Sequence, residues 1–275
     1  MTASAGSQGR VAVLGAGKMG EALLSGLLRS GRAATDLIVT ARRPERASDL
    51  ADRYGVEVLD NVAAAKTAST LILAVKPQDM AVLVDEIAGA VPAGALVISM
   101  AAGIPTAFFE RRLADGVAVV RVMSNTPVLV DEAMSVMSAG AHASEAHLAA
   151  TEELLRPVGR TLRVPESQQD AVTALSGSGP AYFFFLVEAM IDAGILLGLP
   201  RAVAADLIVQ TAVGSATMLR DTGEHPVKLR EAVTSPAGTT ISAIYELEKH
   251  GVRAALLSAL EAARDRSREL ASGLS

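Results

Sequence analysis

The chain has 275 residues, enough for one large domain or two moderate ones with a full apolar core. Half of the residues are hydrophobic and 20% are charged, the balance of a globular protein. A net charge of -5 speaks against a nucleic-acid binder, and the absence of cysteine excludes disulfides, thiolate metal sites and thiol nucleophiles.

Residues 1–9 are small and polar, without the basic start or apolar stretch of a signal peptide, and read as a disordered tail. Beyond them, short β-branched runs alternate with helical spacing. Strands are expected at 11–14, 37–40, 56–59, 70–75, 96–100 and 117–123, with helices at 21–29, 44–54 and 80–90 between them. Strand-like runs at 134–138 and 161–164 flank a helix at 144–155 and extend the series. This is the rhythm of an α/β fold, a parallel sheet with helices on both faces, spanning residues 10–165.

After Pro165 the strand pattern gives way to long Ala/Leu-rich helical runs, punctuated at 177–180, 199–200, 222–226 and 235–238. Residues 166–275 are therefore expected to form an all-helical second domain. Its most apolar stretch, 181–199, carries Glu188 and Asp192. Two acids at mid-depth argue against a membrane span, so a buried helix and a cytoplasmic protein are expected. The run 181–197 offers more apolar surface than a small bundle can bury. A homodimer built on this domain is the expected solution, the alternative being cover by the chain's own helices.

Residues 10–14 run directly into Gly15-Ala16-Gly17-Lys18-Met19-Gly20 and then into a helix. That strand–loop–helix context gives a GxGxxG pattern its meaning. Gly15 permits a tight turn, Gly17 lets the backbone approach a pyrophosphate, and Gly20 lets helix and strand pack closely, with the helix N-terminus facing the phosphates. The expected architecture is thus a Rossmann dinucleotide-binding domain followed by the helical one. The second strand ends in Ala41-Arg42-Arg43, where an NAD-selective site would place an acid. Paired arginines suit a 2′-phosphate, which favours NADPH, with NADH as the alternative. Ordinary surface charge is the competing account of Arg42 and Arg43. Further cofactor contacts are expected from Asn61 and from the carboxyl ends of the fourth and fifth strands. There Ala74, Val75, Lys76 and Pro77 shape one loop, and the small residues Ala101, Ala102 and Gly103 leave room for a flat nicotinamide.

The segments GAGKMG (15–20), AVKP (74–77), SMAAG (99–103), NTP (125–127), DAVTALSGSGPAY (170–182) and VTSPAGTT (233–240) follow one another in that order. With them the chain resembles the pyrroline-5-carboxylate reductases from about residue 11 to 270. The first two segments occur in many Rossmann reductases. SGSGPAY and SPAGTT, the latter running on into Ile241-Ser242-Ala243-Ile244-Tyr245-Glu246-Leu247, are far more specific. The resemblance implies reduction of the cyclic imine 1-pyrroline-5-carboxylate to L-proline with NADPH or NADH, the last step of proline biosynthesis. It also implies a helical domain interlocked with a second subunit, in dimers that commonly assemble to decamers. One departure is Ser124, where many bacterial members carry proline.

An imine carbon accepts hydride readily once its nitrogen is protonated or hydrogen-bonded. Orientation, an anchor for the substrate carboxylate and support at the nitrogen then matter more than acid–base machinery. The segment 234–240 has suitable parts: Pro and Gly to shape a turn, a following helix with free N–H groups, and hydroxyls as movable donors. By the resemblance, Thr240 contacts the imine nitrogen as proton donor or relay. The backbone amides of Gly238 and Thr239 hold the carboxylate, with Ser235 close by. Plain helix capping is the competing account of these residues. Ser176 and Ser178 read as mainly structural and near the nicotinamide, with Pro180 opening the next helix.

The four histidines, His142, His147, His225 and His250, are scattered with no Glu or Asp spacing that would suggest a metal; they read as surface or loop residues, and no metal is expected. A β-hydroxyacid dehydrogenase would need a lysine on the long central helix. No lysine occurs between Lys76 and Lys228, and 167–198 contains no Lys, Arg or His. A non-catalytic NADP(H)-sensing protein would be expected to lose the 235–240 loop, which is intact here.

Overall fold

The computed structural model describes residues 9–272, so all of the expected tail except Gly9 lies outside the described residues. These residues form two compact units, 9–178 together with 263–272, and Gly179–Ala262. The division expected at 165 therefore falls inside the first unit.

The first unit is built on eight strands: β1 (Val11–Leu14), β2 (Leu37–Thr40), β3 (Glu57–Val58), β4 (Thr70–Leu73), β5 (Leu96–Ser99), β6 (Ala118–Met123), β7 (Ala133–Ala139) and β8 (Gly159–Arg163). They lie in the order β3-β2-β1-β4-β5-β6-β7-β8. The first six are mutually parallel, with Val11 opposite Leu37 on one side and Thr70 on the other. β7 pairs with β6 antiparallel and β8 follows β7 in parallel, so the last two strands run against the rest. The link from β6 to β7 is a single 3-10 turn, Thr126–Val130, closed by Asp131 in the left-handed region (φ 60). That is too short for the crossover a parallel neighbour would need.

Six helices cover the sheet: α1 (Lys18–Arg29), α2 (Pro44–Tyr54), α3 (Asn61–Thr67), α4 (Pro77–Ile87), α5 (Thr106–Glu110) and α6 (Glu145–Leu155). Alternate strand residues feed opposite faces. Ala12, Leu14, Ile38, Leu71, Leu73 and Val97 enter one cluster with residues of α3, α4 and α5. Val11, Val13, Leu37, Val39, Ile72 and Ile98 enter the other with residues of α1, α2 and α6. Both faces are dry, which is why these strands read as unbroken β-branched runs.

After β8, Glu166 returns to the sheet. Its carboxylate accepts from the Thr106 N–H and hydroxyl, each at 2.8 Å, and pairs with the buried Arg121 at 3.3 Å. α7 (Gln169–Val172) then runs into one π turn, Thr173–Gly177, and Ser267 of the last helix donates to Asp170 at 2.7 Å.

The second unit is helical: α8 (Gly179–Leu196), α9 (Arg201–Thr222), α10 (Pro226–Ala232), α11 (Thr239–Lys249) and most of α12 (Val252–Ser272). α8 and α9 approach closely where Gly194 faces Ala204. Ala204 is the only buried residue among those described in this unit. Large apolar side chains lie open instead, Phe184 at 65% exposure, Leu196 at 88% and Leu197 at 84%. Residues Glu166–Leu196 and Arg201–Thr222 are long and apolar enough to cross a membrane by length and composition.

Candidate active site

The glycine loop leaves the buried end of β1 through Gly15, whose φ of 101° lies where a side chain would be strained. The loop is tied to the end of β2: Gly15 N–H donates to Thr40 Oγ1 at 3.3 Å and Ala16 N–H to the Thr40 carbonyl at 3.2 Å. α1 starts at Lys18, three residues before the expected position, with Gly17 as its N-cap. Gly20 packs so tightly on the Gly15 carbonyl that a Cβ there would overlap it, whereas a Cβ at Gly17 would meet nothing among the described residues within 4 Å. An open backbone at a helix N-terminus, beside a left-handed glycine turn, fits a dinucleotide diphosphate.

In front of this loop lies a cleft of about 870 Å³ at the carboxyl ends of β1, β2 and β4. Of the residues expected from sequence, Gly15, Ala16, Gly17, Arg42, Arg43, Asn61, Ala74, Val75 and Lys76 line it. Others do not. Lys18 is exposed in the first turn of α1, and Met19 packs against the apolar cluster beneath α1. Gly20 is buried by its packing role, and Pro77 opens α4 with Lys76 as N-cap. Ala101 is buried in the core on the other face of the sheet, with Gly103 also buried and Ala102 half-buried beside it.

The cleft adds residues that sequence reasoning missed, among them Arg46, Asp79, Val82 and Glu86. Arg46 reaches back to the Ala16 carbonyl with two nitrogens at 3.4 and 3.5 Å, pairs with Glu21 of α1, and pairs with Asp49 at 2.5 Å. Glu21 also accepts from Arg53 and from the Tyr54 hydroxyl, both at 2.9 Å. Burial alone would raise the Glu21 carboxyl, but hydrogen bonds from Arg46 and Tyr54 and the charges of Arg46 and Arg53 hold it below the ordinary range. Arg42 is 72% exposed and pairs with Asp79 at 3.0 Å, and Asn61 Nδ2 donates to Glu86 at 2.9 Å. Apart from Arg46 and Asp49, three residues apart on α2, no local spacing announces these partners, because they come from separate elements.

Ser235, Gly238, Thr239 and Thr240 come together in the helical unit. Ala237 adopts a positive φ of 54°, the Gly238 N–H donates to the Ser235 carbonyl at 3.1 Å, and Gly238 caps α11 in extended conformation. Ser235 Oγ sits where a Cβ on Gly238 would fall. Neighbouring hydroxyls are spent: Thr234 donates to the Arg230 carbonyl at 2.6 Å and Ser242 to the Gly238 carbonyl at 3.1 Å. Among the described residues, no hydrogen bond engages the hydroxyl of the half-buried Thr240.

Ser176 and Ser178 belong to the sheet unit. Asn125 Nδ2 donates to the Ser176 carbonyl and hydroxyl at 3.3 and 3.4 Å, while its Oδ1 accepts from Met134 N–H at 3.0 Å. Ser178 N–H closes the π turn on the Thr173 carbonyl at 2.8 Å. Ser124, the departure from the family pattern, is buried and accepts from the Ser135 hydroxyl at 2.9 Å, a partner that proline could not offer.

Two sequence families match the chain: "NADP oxidoreductase coenzyme F420-dependent" over residues 10–103 and "Pyrroline-5-carboxylate reductase dimerisation" over residues 166–270. The latter is an oligomer-forming domain. A pyrroline-5-carboxylate reductase from Corynebacterium melassecola is 47% identical over 264 residues, covering 94% of this chain and 98% of its own. The solved pyrroline-5-carboxylate reductase of Coxiella burnetii superposes with a TM-score of 0.91 at 34% identity, covering 96% of this chain and 99% of its own. That of Plasmodium falciparum, determined with NADP bound, gives 0.85 at 26% identity, covering 96% and 98%. With the glycine-loop cleft in its first unit, the 235–240 loop in its second and full-length likeness to these enzymes, the chain belongs to the pyrroline-5-carboxylate reductase family.

Proposed function

We propose that the protein reduces 1-pyrroline-5-carboxylate to L-proline with NADPH, the closing step of proline biosynthesis. The observation that carries this reading is the likeness to pyrroline-5-carboxylate reductases across 94% of the chain, with family matches over residues 10–103 and 166–270 that take in the glycine loop and the 235–240 loop. The NADP in the Plasmodium falciparum structure supports the choice of cofactor.

In this reading residues 10–165 hold the dinucleotide, and residues 166–275 bind the substrate and build the dimer. The backbone at Gly15–Gly17 cradles the diphosphate, Arg42 and Arg43 take the 2′-phosphate, and Ala101–Gly103 serve the nicotinamide end. NADPH, when bound, supplies the hydride. Thr240 offers its uncommitted hydroxyl to the imine nitrogen, and the N–H of Thr239 at the start of α11 holds the substrate carboxylate, while the Gly238 N–H is spent on the Ser235 carbonyl and closes the turn. A homodimer through the exposed apolar helices is the proposed unit and a decamer its proposed higher assembly, in the cytoplasm.

Purified protein is expected to oxidise NADPH when given pyrroline-5-carboxylate and to release proline. Absence of turnover with either nicotinamide cofactor overturns the reading. Thr240→Ala is expected to lower kcat by about 100-fold with little change in the Kd for NADPH, as the loss of a proton donor should. Equal turnover in the variant removes Thr240 from the chemistry.

A further inference from the structure

The cleft holds an acid that dinucleotide binding as described above leaves without a role. We propose that Asp79 is a cofactor-specificity residue, whose carboxylate competes with the 2′-phosphate of NADPH for Arg42 and accepts from the 2′-hydroxyl of NADH. This rests on the cleft being a nicotinamide-dinucleotide site.

β2 ends in Ala41-Arg42-Arg43 and supplies no acid of its own. Asp79 enters instead from the first turn of α4, where the helix N-terminus favours a negative charge. Its Oδ2 lies 3.0 Å from Arg42, and both residues line the cleft. The two partners are unequal. The Arg42 side chain is 72% exposed and Asp79 only 32%, so the guanidinium is the more solvent-open member and the carboxylate the more enclosed one.

Of the other charges of the cleft, Arg43 and Lys76 make no ion pair among the described residues, and three are committed elsewhere. Arg46 is held by Ala16, Glu21 and Asp49, Glu86 accepts from Asn61, and Asp60 caps α3 by accepting from the Ala63 N–H at 2.8 Å. Arg43 is open to an arriving 2′-phosphate, but at Arg42 the phosphate has to share the guanidinium with a like charge already 3.0 Å from it. A 2′-hydroxyl meets no such repulsion and gains an acceptor. The arginine and the acid pull the cofactor choice in opposite directions, and the chain retains use of NADH beside NADPH.

The test is calorimetric titration of the full-length protein and its variants with adenosine 2′,5′-bisphosphate and with 5′-AMP, which carry the two ribose alternatives without the nicotinamide. Asp79→Asn is expected to tighten the bisphosphate about tenfold and to weaken 5′-AMP about threefold, the scale of one partly screened charge. Asp79→Ser should reproduce the bisphosphate gain, which guards against a local effect of the amide. In an Arg42→Ala background the gain should vanish, because the competition is for that arginine. A wild-type protein that binds the bisphosphate while the ratio of the two ligands stays unmoved in both Asp79 variants overturns this proposal alone. A wild-type protein that binds neither ligand overturns it together with the reading of the cleft.

Discussion

Gly17 and Gly20 share one loop yet meet opposite constraints. Nothing among the described residues lies within 4 Å of a Cβ at Gly17, so Gly17→Ala should leave the melting temperature unchanged and act only on what the cleft binds, weakening NADPH in a fluorescence titration. At Gly20 the obstacle is the Gly15 carbonyl itself. Gly20→Ala should therefore cost about 1–3 kcal/mol in urea unfolding, the usual scale of overpacking, and weaken NADPH as well. Glu21 gives a separate signal. Its folded carboxyl lies below the ordinary value of 4.5, so the stability it adds is complete above that value and is lost as pH falls through the lowered one. Glu21→Gln should accordingly show a flatter loss of melting temperature below about pH 4.5 than the parent protein.

Among the elements, Glu166 is the tie that brings the chain back to the sheet after β8. It neutralises Arg121, which is 5% exposed and has a further buried nitrogen without a partner among the described residues. Glu166→Ala should destabilise by about 3 kcal/mol, since it leaves that charge buried and unpaired, and Glu166→Gln by less, because the amide oxygen still accepts from Thr106. Chemical denaturation of both variants checks the order. β1, β2, β4 and β5 were legible in sequence because both their faces are buried, which leaves continuous runs such as Leu37-Ile38-Val39-Thr40. The reversed direction of β7 was not legible, since antiparallel and parallel partners draw on the same residue types. α3 and α5 are too short for a helical period to show, and the glycine at position 20 hid the first turn of α1. The same division holds at the site. The glycine loop is a local spacing and could be read directly. Arg46 with Glu21, and Arg42 with Asp79, meet only through the fold.

At the scale of the molecule, the helical unit has almost nothing buried of its own, while Phe184, Leu196 and Leu197 stand open. Such a surface is expected to be covered by another subunit, in keeping with the dimerisation family matched over residues 166–270. Phe184→Glu combined with Leu197→Glu should shift the protein to smaller species or to aggregates in light scattering coupled to size exclusion. An unchanged mass would place the interface elsewhere.

With Ala204 its only interior side chain among the described residues, the helical unit is expected to draw much of its folding free energy from association. Protein concentration then becomes a thermodynamic variable of the fold. For a dimer, each tenfold dilution should remove about 1.4 kcal/mol of apparent stability by mass action. Melting curves taken across a dilution series should slide to lower temperature together with the loss of activity, and a cell holding little of the enzyme would hold it closer to unfolding.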